Sequence, residues 1–374
     1  PNLPLSYALQ SVDGFDGGIL PLDNYSSVMR LVLPDDLEAF DGRLREHLDS
    51  IPEARWLDLL GARYIITDKV GDEWRRGVFF DMKHPIWVTQ DSGPIEVGFV
   101  PEFEATEMWL LGEGPVGEVD VIAQGDDRWL LKPMLIGPEL WKVQFPTAVD
   151  PQQITLNPCW SGTAEHGCGE EWYVQALALV DARDETFVPI LPGNYRLVHS
   201  GNVKIYENTD LLPRAFLVHD WQFVEDNESG LAAMRADSFD PGRSAVVLGN
   251  GKSVSGSGDG EVSVLEYLPE RIVLHSSSEE PALLLLTDAF YPGWQATVAG
   301  ENVEIMRSDI LFRGIFVPEG ENEIIVEFQP ASYKIGRVIS LVGSLIWVLL
   351  AAYVFLVPYI QRNSSVRSKE SRQA

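Results

Sequence analysis

The chain has 374 residues, 45% of them apolar and 11 of them Trp, which is enough for two or three packed cores and too apolar for a disordered chain. Its 56 acidic residues outnumber 28 basic ones, giving a net charge of −28, which disfavours nucleic acid and anionic lipid headgroups as partners because their phosphates would be repelled. Gly 32 and Pro 24 point to many turns, and hence to a mostly β chain of short strands.

Ser6 to Gly18 reads as an extended segment entering a tight turn, with Asp13 and Asp16 three apart around Gly14. Such a carboxylate pair can bind a sugar hydroxyl or a divalent cation, or simply cap the turn. From Asp35 to Ser50 the spacing of Leu37, Phe40, Leu44 and Leu48 predicts a helix. A shorter one through Trp56, Leu59 and Leu60 should stop at Gly61, and Ala62 to Asp68 should follow as a strand. Residues 1–84 thus read as the first part of a mixed α/β domain.

Between residues 85 and 192 the texture turns to β-branched and aromatic runs separated by Gly, Pro and Asp, which predicts a β-sandwich of jelly-roll type. Along Trp172 to Asp181, strict alternation would put Val174, Ala176, Ala178 and Val180 on one face and Gln175, Leu177 and Leu179 on the other, both covered. The Trp residues of this region fit a core, or, if exposed beside polar groups, a sugar-stacking platform. Cys159 and Cys168 flank one short loop and are a disulfide candidate. A metal site built from them and His166 would lack a fourth ligand.

Tyr195 to Asn208 reads as a β-hairpin, Leu212 to Val218 as a strand, Glu228 to Ala236 as a helix and Ala245 to Leu248 as a strand. This texture over 193–248 matches that of 1–84, so 85–192 is expected to be an insertion into one split domain. Gly249 to Gly260 is a flexible loop without phosphate-loop spacing, since Val246 stands where the upstream Gly is required. Residues 249–332 then form a second predicted sandwich, with turns at Pro292-Gly293, Ala299-Gly300 and Pro318-Glu319-Gly320.

Val338 to Gln361 carries no charged side chain. A helix of that length reaches roughly 36 Å, enough to cross a hydrocarbon core of roughly 30 Å. Tyr333, Lys334 and Arg337 precede it, and Arg362, Arg367, Lys369 and Arg372 follow against Glu370 alone. Residues 333–361 are therefore expected to be a transmembrane helix and 362–374 a cytoplasmic basic tail, with the body extracytoplasmic and lipid as a partner. The start at Pro1 offers no secretory signal, so the chain is expected to be the C-terminal part of a longer membrane protein.

Four stretches carry a family likeness: Ser11 to Asp16, Leu57 to Asp68, Val203 to Asn208 leading to Leu212-Pro213-Arg214-Ala215-Phe216, and Asp288-Ala289-Phe290-Tyr291-Pro292-Gly293-Trp294. With the terminal span they resemble the C-terminal part of the YfhO family of bacterial membrane proteins, over residues 1–84 and 193–360. That resemblance implies a GT-C-like glycosyltransferase at the cytoplasmic membrane, a polyprenyl-phosphate-linked sugar as donor and an envelope glycan as acceptor. It also implies that the catalytic carboxylate belongs to N-terminal spans absent here, so no family catalytic residue can be carried over. Asp13, Asp16, Tyr291 and Trp294 become candidate acceptor-facing or turn residues. A non-catalytic, membrane-anchored glycan-binding or structural protein is the rival expectation.

The residues themselves offer no catalytic set, metal site or cofactor signature. The six His occur singly, without a metal-ligand pair, and Ser257 has Ser255 and Asp259 where a Gly-x-Ser-x-Gly nucleophile elbow needs Gly.

Overall fold

The computed structural model describes residues 11–12, 22–33, 44–48, 50–90, 92–113, 117–125, 127–158 and 172–370. The predicted helix over Asp35 to Ser50 falls largely outside them; within it, Leu44–Glu46 forms a 3-10 turn. The chain is mostly β, in several sheets, and ends in one long apolar helix.

Ala54–Leu59 is helical and ends at Gly61, whose φ of +64° suits a residue without Cβ. Tyr64–Thr67 follows and pairs antiparallel with Lys204–Asn208, itself paired with Tyr195–Ser200. Two of the sequence stretches singled out above, 57–68 and 203–208, are thereby neighbours in one three-stranded sheet. Asn208 also donates to the Asp58 carboxylate at 2.6 Å.

Between those strands lies a two-sheet sandwich. One sheet runs Thr186–Ile190, Trp172–Asp181, Ala105–Glu113, Leu140–Val149, Met134–Gly137, with Ile86–Val88 alongside Trp172–Asp181. The other runs Ile95–Glu96, Pro151–Asn157, Glu118–Ala123, Arg128–Leu131. Met108, Leu110, Val143 and Leu177 from the first meet Val119, Val121, Ile154 and Leu156 from the second in a closed core. The hairpin Glu73–Arg75/Val78–Phe80 covers the outer face of the first sheet, where Val78 and Phe80 pack with Ala176, Ala178 and Val180.

The long strand is covered on both faces, but the strict alternation is broken. A register shift between Val174 and Ala176 changes the phase, so Val174 shares its core with Leu177 and Leu179 rather than with Ala176. A bulge adds one residue to one strand, which exchanges the faces of everything before it.

The remaining body has three layers. The middle layer is a six-stranded sheet in the order Ala215–Val218, Ala282–Leu286, Phe312–Val317, Met306–Ser308, Ser244–Leu248, Asp220–Val224. Strands from both sides of residue 249 lie in it. Its last two strands are parallel and are joined by the helix Asn227–Met234, whose start is capped by Asp226 accepting from Ser229 N at 2.8 Å.

Ala282–Leu286 shows why this sheet is central: Leu283 and Leu285 face one core and Ala282, Leu284 and Leu286 the other. Each fully buried Leu contributes about 2–3 kcal/mol of transfer free energy. On one side, Val28, Met29, Trp56, Leu59, Leu231 and Met234 bring three short helices against the sheet. On the other, Ile272, Leu274, Ala296, Val298, Ile324 and Val326 come from an outer sheet ordered Gly260–Leu268, Arg271–Ser278, Gly320–Phe328, Trp294–Val298, Glu301–Val303.

The helix Ala331–Glu370 starts three residues after the strand ending at Phe328. Its stretch Ala331–Val354 has a mean hydropathy of 2.1 and none of it is buried, so it is long and apolar enough to cross a membrane.

Candidate functional site

Of the residues singled out from sequence, Asp13, Asp16, Cys159 and Cys168 lie outside the described residues. Tyr291 and Trp294 lie together in the loop Asp288–Gly293 and the strand it feeds. That loop is shaped by Pro292-Gly293, with Gly293 at φ +110°, a Pro-Gly turn that requires positive φ at its second residue. A Cβ on Gly293 would come within 3.1 Å of Phe328 and Pro330. The Gly293 carbonyl accepts from Gln329 N at 2.7 Å, so the loop is fastened to the residues that lead into the terminal helix.

At the loop's start, Asp288 gathers three partners from distant parts of the chain. Its carboxylate accepts from Arg214 Nη1 at 3.1 Å and from the Tyr267 hydroxyl at 2.8 and 2.9 Å, and Arg313 Nη1 stands at 3.8 Å. Arg313 also donates through Nε to the Ala289 carbonyl at 3.1 Å and lies 3.8 Å over the Trp294 ring. Arg214 lies 5.3 Å from the Tyr267 ring centroid. Each guanidinium thus rests on an aromatic face, where its charge meets the ring quadrupole.

Two cations stand on this one carboxylate, in a chain with twice as many acids as bases. Burial, above all, moves the Arg313 guanidinium down from its ordinary value, while Asp288 opposes the shift. Burial, then the Asp288 charge, pushes the Tyr267 phenol up to about 12. The cluster is open on one side, since Tyr267 is exposed and the Arg214 side chain is a third exposed. The same loop lines a groove of about 440 Å³ with Phe290, Tyr291, Trp294, Asn302 and Glu304. Cationic and aromatic groups beside a groove recognise an anionic or sugar-bearing ligand, but they include no nucleophile with an attendant base.

A second polar cluster is sealed. Lys204 has no exposed surface, and its Nζ donates to Asp72 Oδ1 at 2.7 Å and Asp81 Oδ1 at 2.5 Å. The Tyr206 hydroxyl donates to Asp81 at 2.7 and 2.9 Å, and burial followed by the Asp81 charge drives its phenol upward. Nearby, His84 packs on Tyr195 with ring centroids 4.5 Å apart, and burial pulls its imidazole down to about 4. Burial also raises Asp58 to about 6, against the hydrogen bond from Asn208. No ligand can reach Lys204, so this cluster is a structural tie between the small sheet and the segment entering the sandwich.

Sequence reasoning marked Tyr291 and Trp294 but gave Arg214, Tyr267 and Arg313 no role. Arg214 and Asp288 are 74 positions apart, and the signal that could have joined them is that each ends or borders an apolar strand within a quoted stretch. Among the described residues, no group of three His, Cys, Asp or Glu could hold a metal ion.

No family model matches the chain, and no curated protein matches it. It is similar to a single-particle cryo-EM structure of arabinofuranosyltransferase AftD from mycobacteria, at TM-score 0.22 and 9% identity, over 82% of this chain and 25% of that one. Two structures of a mutant of that protein align at TM-scores of 0.17 and 0.18, with 11% and 10% identity, over 66% and 73% of this chain and 13% and 25% of theirs. The chain therefore spans a quarter or less of the length of those proteins. At TM-scores this low the likeness carries no weight for function.

Proposed function

We propose that the chain is the extracytoplasmic body and last span of a YfhO-like membrane glycosyltransferase. In this reading it holds the Arg214–Tyr267–Asp288–Arg313 cluster over the membrane, beside the path of a lipid-linked sugar or its glycan acceptor, and the catalytic spans lie elsewhere in a longer protein. The observation that carries the proposal is the meeting of two stretches that bear the family likeness. Leu212–Phe216 and Asp288–Trp294 join through the Arg214–Asp288 ion pair, and Gly293 fastens that pair to the foot of the apolar helix. The other pair of stretches, joined as Tyr64–Thr67 on Lys204–Asn208, supports the insertion of 85–192 into a split domain.

The test is transfer of radiolabelled sugar to envelope acceptor by the full-length protein in membranes. Arg214→Gln and Asp288→Asn should each lower transfer at least ~10-fold, the effect of about 1.4 kcal/mol lost from transition-state binding, with expression unchanged. Wild-type transfer by both variants rejects a role for the cluster. Asp13→Asn with Asp16→Asn applies the same test to the N-terminal turn.

A non-catalytic glycan-binding reading has its own observation. On the inserted sandwich Trp87 is exposed and lies 4.6 Å from Tyr173 between ring centroids, and on the hairpin that covers it Trp74 is exposed beside Phe79 and Phe187. Glycan-array binding by the intact chain, lost in Trp87→Ala, would favour it; no binding by the wild type would dismiss it.

A further inference from the structure

We propose that the end of the outer sheet next to the terminal helix lies against the bilayer, docking through Leu268, Tyr291 and Tyr333 together with Arg214, Arg271 and Lys334. The occupant is the headgroup layer of the membrane that holds the helix, so the proposal rests on the reading of Ala331–Val354 as a span.

Three observations lead there. The first is the absence of slack between sheet and helix. Phe328 N donates to the Glu270 carbonyl at 2.8 Å, Gln329 N to Gly293 at 2.7 Å and Lys334 Nζ to Gln329 Oε1 at 2.9 Å. The turn after Leu268 and the Tyr291 loop are therefore pinned at the level of the helix start. Leu268 is two strands from Phe328, about 10 Å at the spacing of a sheet. Val338 begins the uncharged stretch seven residues into the helix, about 10 Å further down. The sheet end thus stands at the outer edge of the headgroup region, within reach of long side chains.

The second is what that end exposes. Leu268, Tyr291, Tyr333 and Ile335 are exposed at 44%, 51%, 69% and 60%, and Leu265 and Tyr267 continue the same edge strand upward. Exposed Tyr beside apolar residues at one level is the composition of a membrane interface.

The third is charge. Here Arg214, Arg271, Arg313, Lys334 and Arg337 stand among Glu266, Glu270, Asp288, Glu304 and Glu327, an even balance, whereas the chain as a whole has 28 basic against 56 acidic residues. Three of those acids are already engaged: Glu266 and Glu327 by Arg271, and Asp288 by Arg214 and Tyr267. At this end the charges balance, so phosphate headgroups meet less of the repulsion expected of the chain as a whole.

The full chain, reconstituted in vesicles of phosphatidylethanolamine and phosphatidylglycerol that contain radiolabelled phospholipid, carries photoactivatable p-benzoylphenylalanine in place of Leu268, Tyr291, Leu349 or Leu130, one at a time. Leu349 lies in the helix and Leu130 is an exposed residue of the inserted sandwich. Labelled lipid should attach at 268, 291 and 349 and not at 130. Attachment at 349 alone, or adducts at 268 and 291 made only with protein, overturns the docking surface while leaving the span intact. Loss of label at 349 as well removes the span itself, a separate failure. Unchanged circular dichroism for each variant keeps a folding defect from passing as either result.

Discussion

Two clusters in this protein use the same chemistry, a cation, a carboxylate and a tyrosine hydroxyl, to opposite ends. Around Lys204 the groups are sealed: Lys204, Asp72 and Asp81 side chains are exposed at 0%, 6% and 1%. Around Asp288 they are not: Tyr267 is exposed and the Arg214 side chain is a third exposed. Sealing demands that each charge find its partner inside the protein, which makes a cluster a fastening. Opening relaxes that demand and leaves the groups within reach of something outside. Accessibility separates the two, and residue type does not.

The sharpest way to break the comparison is Lys204→Met. It strands Asp72 and Asp81 without a cation, and the expected cost is about 3–5 kcal/mol in denaturant unfolding. Adding Asp72→Asn and Asp81→Asn should recover part of it; a Lys204→Met protein as stable as wild type would show the cluster to be idle.

Asp309 extends the comparison to a carboxyl buried without a salt bridge among the described residues. It accepts from Val246 N at 2.8 Å, and burial raises it to about 7 from 3.8. A raised acid contributes stability that is whole below its unfolded value and is lost as pH rises through the folded one. Asp309→Asn should therefore flatten the fall in stability between about pH 4 and 7 and leave the protein more stable above it, by thermal melts across that range. His84 acts on the acid side: its lowered value contributes stability above about 6.5 that is lost as pH falls through about 4.

A smaller effect distinguishes the two tyrosines. Asp288→Asn should bring the Tyr267 phenol part of the way back from about 12, because burial is the larger cause and remains. Phenolate absorbance would record it, while Tyr206 should ionise only on unfolding. The smallest belongs to an open pair without a cluster: Arg30 and Glu228 are bonded, but their side chains are 48% and 72% exposed. Arg30→Ala should change stability by no more than about 0.5 kcal/mol.

How much of this was legible depends on the range of the contact. Local signals were strong: Gly61 as a stop, the Tyr195–Asn208 hairpin and the apolar terminal run all appear where sequence placed them. The bulge near Gln175 was not legible, because a one-residue insertion in a ladder depends on the partner strand. The strand Asp220–Val224 has readable alternation of Trp221 and Phe223 with Asp220 and Gln222, yet its parallel partner 24 positions on does not show in it. The candidate site was half legible. Tyr291 and Trp294 sit in and just after a distinctive loop, whereas Arg214, Tyr267 and Arg313 come from distant segments and meet only when the sheets assemble.

The junction at Gln329 and Pro330 has a mechanical consequence. With its neighbours bonded to Gly293 and Glu270, the chain passes from sheet to helix without a swivel, so the body must follow the helix as a flag follows its pole. Once embedded, that helix tilts further in a thin bilayer than in a thick one. Lipid thickness would thus set the angle at which the acidic body leans over the surface.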